Sequence, residues 1–398
     1  MELKITAVEV LAVEGLVPAH PGVRQRQVRP LDRYVDERPS LISPAISEEA
    51  MRPGRALYLR LGTSDGPEGL YGPIDEETAW PILRQLAGFV VGKDAMGVGE
   101  LWDKMERLDR HARHGQLKMA ISAIDNAAWD LRARALEVPV WHLLGGSSRT
   151  AVPAYASTLG LSHDAGELED AARRLANEGF GAQKWFFTKG PGDGADGLRT
   201  NLALIERLRG ELGEHYPLMF DAFMGWDVGF ARAWASSARR FAPTWLEEPL
   251  APGALAAYRE LRRGVDVPLA AGEHLYDRAE MLEFLSSGVL SVLQADPEWC
   301  GGVSELVRIC ALAALFGVRV IPHGHGLHAA LHVVASQSPE VCPMVEYLLN
   351  VMPGRFYFER NPPVPHAGEV MLPSAPGFGI ELDEEKATSV RHLSASLV

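Results

Sequence analysis

The chain has 398 residues, 47% of them hydrophobic and 23% charged, which suits a large barrel-type domain with room for a second module, and no low-complexity tract argues for disorder. A formal charge of −13 argues against nucleic acid as the main partner, since that partner asks for a broad basic face. The longest apolar stretch, Ile309 to Ile321, contains Arg319 and falls well short of the roughly 20 residues that span a bilayer, so no membrane partner is expected.

The N-terminal Met-Glu-Leu-Lys-Ile lacks the basic start, apolar run and cleavage site of a secretory signal, which predicts a cytoplasmic protein. Leu3–Val13 and Ala56–Leu61 predict strands, and the turn Thr63-Ser64-Asp65-Gly66 leads to a third at Gly69–Tyr71. Helical pattern follows from Glu76 to about Leu108. A one-faced helix is predicted from Gln116 to Ala135 by the spacing of Ile121, Ile124, Ala128, Leu131 and Ala135. This first part, residues 1–125, reads as a small α+β domain.

From Ala151 the rhythm changes to short apolar runs, each followed by an amphipathic stretch. The runs are Val152–Ala156, Ala182–Phe187, Leu218–Phe223, Thr244–Leu250, Leu269–Leu275, Val289–Ala295, Val318–His323 and Met344–Leu349. The pattern predicts an α/β fold, a closed (β/α)₈ barrel over residues 126–363 with its chemistry at the C-terminal strand ends. The Pro-rich segment 364–398 is expected to pack back on the first module. Cys300, Cys310 and Cys342 show no C-x-x-C spacing and read as buried thiols.

Three consecutive runs end in an acid, Asp221, Glu247 and Glu273, each 26 residues after the last. Equal steps around a barrel bring the three toward one point, where their repulsion calls for a cation. Hard oxygen ligands select Mg²⁺, with Mn²⁺ as a substitute. The alternative is three unrelated acids capping helices. Strand alternation points Glu248 the other way, toward a structural salt bridge. The sixth run ends at Asp296 and the seventh at Pro322-His323-Gly324-His325. An aspartate beside a histidine sets the imidazole tautomer and its basicity, so His323 is the favoured general base and His325 the second choice.

Asp221, Glu247, Glu273, the segment Gln294-Ala-Asp-Pro-Glu-Trp-Cys-Gly-Gly302, His323 and the helix Ala123-Ile-Asp-Asn-Ala-Ala-Trp-Asp130 together resemble the mandelate-racemase branch of the enolase superfamily. Pro322-His-Gly324, Gly190-Pro-Gly-Asp-Gly194, Gly272-Glu-His274 and Pro376-Gly-Phe-Gly-Ile-Glu381 are most similar to its acid-sugar dehydratases, of the L-rhamnonate dehydratase kind. The resemblance implies an N-terminal domain that caps the barrel mouth, and a base working with Mg²⁺ on an enediolate, a pairing general to that superfamily. It also implies a small sugar acid as partner and an even-numbered homo-oligomer. Racemases of the branch carry Lys-x-Lys on the second strand, whereas this chain reads Lys184-Trp185-Phe186, which favours elimination of water over racemisation.

Lys184 would offset part of the negative charge, and Glu346, if protonated, could donate to the anionic intermediate. His274 is a possible contact to substrate hydroxyls. The basic segment from His20 to Arg29, continuing to Arg33 and Arg38, could read the far end of the substrate. Gly190–Gly197 lacks the lysine and hydroxyl of a phosphate loop and reads as a flexible active-site loop. Two rival functions stay open: a racemase or epimerase on the same scaffold, and a catalytically silent sugar-acid binding protein.

Overall fold

The computed structural model describes residues 3–19, 24–37, 50–64 and 66–393. His20 and Arg38 lie outside these residues.

The first module is an antiparallel sheet of β1 (Ile5–Pro18), β2 (Met51–Thr63) and β3 (Gly69–Ile74), completed on the outer side of β1 by the C-terminal strand Ser389–Leu393. The sheet packs on the helix Gly115–Ala135, and the approach is close. A Cβ at Gly69 would strike the Ala127 carbonyl and, at 2.7 Å, the Leu131 side chain. The helical stretch expected from Glu76 to Leu108 is broken. Helical turns end at Val90, Gly92 takes φ +86°, and Asp94 accepts the Leu3 amide at 2.9 Å before a new helix runs Val98–Leu108.

Eight parallel strands follow: β4 (Ala151–Ser157), β5 (Gln183–Phe186), β6 (Leu218–Asp221), β7 (Trp245–Glu247), β8 (Leu269–Ala271), β9 (Val292–Leu293), β10 (Arg319–Val320) and β11 (Val345–Leu348). Their order is β10-β9-β8-β7-β6-β5-β4-β11. Between β10 and β11 the gap is spanned by single hydrogen bonds, Val320 N–H to Val341 O at 2.8 Å and Gly324 N–H to the Glu346 carboxylate at 2.9 Å. Helices separate consecutive strands, but only the short turn Met352–Arg355 follows the eighth. The chain then returns as β12 (Glu369–Met371), antiparallel to β4, and β13 (Ser389–Leu393) on β1.

Two apolar layers result. Tyr155, Ala182, Met219, Trp245, Ala270, Val292 and Ile321, with Met344, fill the barrel interior, while a larger core lies between strands and helices and continues into the first module. The helix Gly115–Ala135 runs unbroken through the expected boundary at 125/126, so the two modules share it. Among the described residues no helix is long and apolar enough to cross a membrane.

Candidate active site

A second residue, two positions past each member of the inner cluster, forms a layer above the apolar interior: Ser157, Lys184, Asp221, Glu247 and Glu346 on the strands, and Gly272, Gln294 and His323 just past them. Parallel register sets Phe186 beside Asp221 and Asp221 beside Glu247. Lys184 stands among them. Its ammonium touches Glu247 Oε1 and lies 2.8 Å from Glu346 Oε1 and 3.4 Å from Asp221 Oδ2. Trp245 Nε1 donates to the other Glu247 oxygen at 2.8 Å, and the Phe223 amide to Asp221 at 2.8 Å. Burial opposes the charge on Lys184, but Glu247, Glu346 and Asp221 outweigh it and hold the ammonium protonated. Burial opposes ionisation of Glu346 too, yet Lys184 and His323 keep its carboxyl well below the usual range. In this state Glu346 accepts hydrogen bonds, and a donor role would require it to gain a proton during the reaction.

Glu273 sits just past β8, where Gly272 takes φ +125°. Its carboxylate lies 3.3 Å from His274 Nδ1 and 3.8 Å from His323 Nε2. Glu248 makes the ion pair expected of it, with His274, but not in the direction that alternation gives. Its φ of +33° ends strand alternation and brings the carboxylate to His274, 3.1 Å away. Ligand atoms of Glu248, Glu273 and His274 lie within 4.8 Å of one another, whereas Asp221 and Glu247 meet on Lys184. The evenly spaced acids therefore form part of a bed of four buried carboxylates. Burial raises Asp221 to about 6 and Glu273 to about 7, with neighbouring carboxylates adding to the rise. Buried oxygen donors held at the edge of ionisation fit a hard divalent cation, which would relieve both effects.

The other half of the mouth is built on loops. Asp296 lies past β9 and accepts the Glu298 and Gly326 amides at 2.7 and 3.1 Å, so its orientation is fixed. It meets His323 Nδ1 at 3.0 Å, leaving Nε2 turned toward Glu273. Burial disfavours a charged His323, but Glu273, Asp296 and Glu346 outweigh it and raise the imidazole to about 10. His325 is differently placed. Its Nδ1 meets Glu298 at 2.7 Å and its Nε2 faces Asp75 of the first module at 3.3 Å. Arg355 joins the same two acids at 2.7 and 3.4 Å, so His325 serves a latch between cap and barrel. Trp299 is stacked on His323, ring centroids 4.9 Å apart, and packs against His325 and His274. None of Asp75, Glu298, Trp299 or Arg355 is marked by strand-end spacing. Glu298 and Trp299 lie in the segment that suggested the family, and that position was the available signal.

The helix Gly115–Ala135 holds this loop from behind. Ser122 Oγ accepts the Gly301 amide at 2.8 Å, Asn126 accepts from Val303 at 2.9 Å and donates to Pro297 O at 3.1 Å, and Asp125 accepts from Ser304 N at 2.9 Å. Over the mouth runs the basic N-terminal segment. The Arg24 and Gln25 amides bond Gly160 O after β4, and the Val28 amide bonds Phe187 O after β5. Arg33 donates to Trp226 O at 3.2 Å and faces Asp227, a half-exposed position that ties down the segment and does not reach the carboxylates. Gly190–Gly197, expected as a flexible loop, is a turn entering the helix Gly194–Leu212, fixed by Asp193 on the Gly190 amide at 3.0 Å.

A mouth with this charge arrangement can move a proton and hold an anion, which defines a capped barrel enzyme of acid-base chemistry. Residues 34–145 match the mandelate racemase/muconate lactonizing enzyme N-terminal domain, and residues 167–386 match the enolase C-terminal domain-like family. A curated L-rhamnonate dehydratase from Saccharopolyspora erythraea is 33% identical over 83% of this chain and 83% of its own length. The L-rhamnonate dehydratase structure from Gibberella zeae superimposes with TM-score 0.81 at 25% identity, covering 96% of this chain and 95% of that one. A racemase from Streptomyces coelicolor with bound magnesium gives TM-score 0.77 at 26% identity, covering 96% and 98%. The chain belongs to the enolase superfamily, in its mandelate racemase/muconate lactonizing enzyme family. It is an enzyme of that superfamily, and the curated relative is by name a dehydratase.

Proposed function

We propose that this enzyme is a Mg²⁺-dependent acid-sugar dehydratase. It would take the proton α to the carboxylate of an aldonate, rhamnonate-like acid and expel the 3-hydroxyl, giving a 2-keto-3-deoxy acid. The observation that carries the reading is the His323–Asp296 pair at 3.0 Å with Nε2 turned into the carboxylate bed. Asp221, Glu247 and Glu273 would hold Mg²⁺, or Mn²⁺ in its place, with Glu248 alongside; the bound ion would supply positive charge for the enediolate and would offset the pull of Glu273 on the His323 proton.

In the neutral imidazole, Nδ1–H donates to Asp296 and Nε2 is the free base. His323 removes the α-proton through Nε2. The protonated ring then returns that proton to the 3-hydroxyl as the carbon–oxygen bond breaks, so water leaves and the enol tautomerises to the keto acid. Lys184 carries the fixed positive charge beside the site. Phe186 lies over its ammonium, 5.3 Å from ring centroid to Nζ, and offers no second base. A phenyl ring neither takes nor returns a proton, which favours elimination. His274 remains a proposed hydroxyl contact, and the N-terminal segment a cap over the far end of the substrate. A cytoplasmic, even-numbered homo-oligomer completes the reading.

Screening an aldonate and aldarate library for 2-keto-acid formation with Mg²⁺ tests it. Stoichiometric 2-keto-3-deoxy acid is expected. An epimeric acid with all hydroxyls intact would assign the enzyme to the racemases, and binding without turnover would leave a silent binding protein.

A further inference from the structure

Gln294 belongs to the inward layer yet has no part in the charge network. It is fully buried, and neither its Oε1 nor its Nε2 has a hydrogen-bond partner among the described residues. A carboxamide has one acceptor oxygen and two N–H donors, and burying both ends unpaired is costly. Its direction follows from alternation: Val292 lies in the barrel interior and Leu293 in the outer core, which turns Gln294 inward. Its backbone is held on both sides, the amide donating to Ala271 O at 3.0 Å and the carbonyl accepting from the His323 amide at 3.3 Å.

The neighbours define what the carboxamide faces. His323 stands on one side in the same layer. On the other side is Gly272, whose φ of +125° disfavours any side chain there and where a Cβ would press on the Leu293 side chain of the outer core at 2.6 Å. The next side chain after it, Glu273, brings its carboxylate to 3.8 Å from His323 Nε2, so Gln294 is an uncharged group of the layer beside the base. In a mouth crowded with carboxylates, a neutral group that both donates and accepts can bind an oxygen substituent without adding charge.

We propose that Gln294 contacts the substrate, donating from Nε2 to one oxygen and accepting at Oε1 from a hydroxyl on the carbons next to the proton that His323 takes. The ligand class this selects is a 2,3-dihydroxy acid. The inference rests on the sugar-acid reading above. An acid lacking the contacted hydroxyl leaves the carboxamide unpaired again and is bound less well.

The test is equilibrium binding by calorimetry, in Mg²⁺, of intact aldonates and their 2-deoxy and 3-deoxy analogues to the wild type, Gln294→Leu and Gln294→Met. Gln294→Met keeps the side-chain length should Gln294→Leu fail to fold, and a thermal melt accompanies each variant. Expected is a loss of roughly ten- to a hundredfold in affinity of the variants for the intact acid. Removing the contacted hydroxyl should cost the wild type a similar factor and the variants nothing more. Folded variants that bind every acid as the wild type does would overturn the proposal. A lowered melting temperature with unchanged affinity would do the same, assigning the carboxamide to internal water. Wild-type binding of dihydroxy acids without keto product would sink the dehydratase reading alone, and no binding of any such acid would sink both.

Discussion

The two halves of the barrel mouth hold their reactive groups by different means. On the β5–β7 side Lys184, Asp221 and Glu247 stand on strands, so parallel register alone sets their spacing. On the β9–β10 side Asp296, Glu298, Trp299, His323 and His325 stand past the strand ends, and other segments hold them: the helix Gly115–Ala135 from behind, Asp75 and Arg355 from the flank. A ladder positions a side chain without partners in distant sequence. A loop needs them, and here they come from the cap, from the helix it shares with the barrel, and from Arg355 in the turn after β11.

Metal removal should have the largest effect and tests the strand-borne half. Activity is expected to fall to background in excess chelator and return with Mg²⁺. Mn²⁺ titrated by electron spin resonance should bind the wild type and not Glu273→Gln or Asp221→Asn. Full activity under chelation would refute the carboxylate bed as a metal site.

His323→Asn tests the loop-borne half, with turnover reduced by ~10² to 10⁴ as expected of a lost general acid-base group. His325→Asn should keep most of its turnover, because both ring nitrogens are engaged with Glu298 and Asp75. The reverse pattern would exchange the roles of the two histidines.

Asn126→Leu probes the support from behind. It leaves the buried Val303 amide and Pro297 carbonyl unpaired and should cost about 1–3 kcal/mol in a denaturant melt. If the helix positions the dyad loop, kcat falls more than KM rises; loss of stability with unchanged kcat would reduce it to scaffolding.

The smallest effect concerns the latch. Burial and Arg355 oppose protonation of His325, but Glu298 and Asp75 raise its pKa above the ordinary value. A raised folded-state pKa contributes stability that is full at low pH and fades as pH climbs through the raised value. The stability gap between wild type and His325→Asn should therefore narrow from pH 6 toward alkaline pH. A gap independent of pH would mean that His325 acts through packing alone.

The same contrast explains what could be read in advance. The eight barrel strands and the acids at 221, 247 and 273 follow from periodicity, and the contact of Asp296 with His323 follows from adjacent strand ends. Glu248 was misdirected because a single φ of +33° breaks alternation, and no residue pattern announces that. The helical pattern from Glu76 is interrupted at Gly92–Asp94, where long-range bonds to Leu3 outcompete local propensity. Arg355 meets Asp75 across 280 positions, a pairing that only the closed fold creates.

The placement of β13 bears on how the enzyme is made. Val10 pairs with Leu393 and Glu14 with Ser389, so β1 keeps one bare edge until nearly all of this sequence has been synthesised. An unpaired strand edge is a template for mispairing with another chain. A fusion that hinders Ser389–Leu393 from pairing with β1 is therefore expected to show first as aggregation.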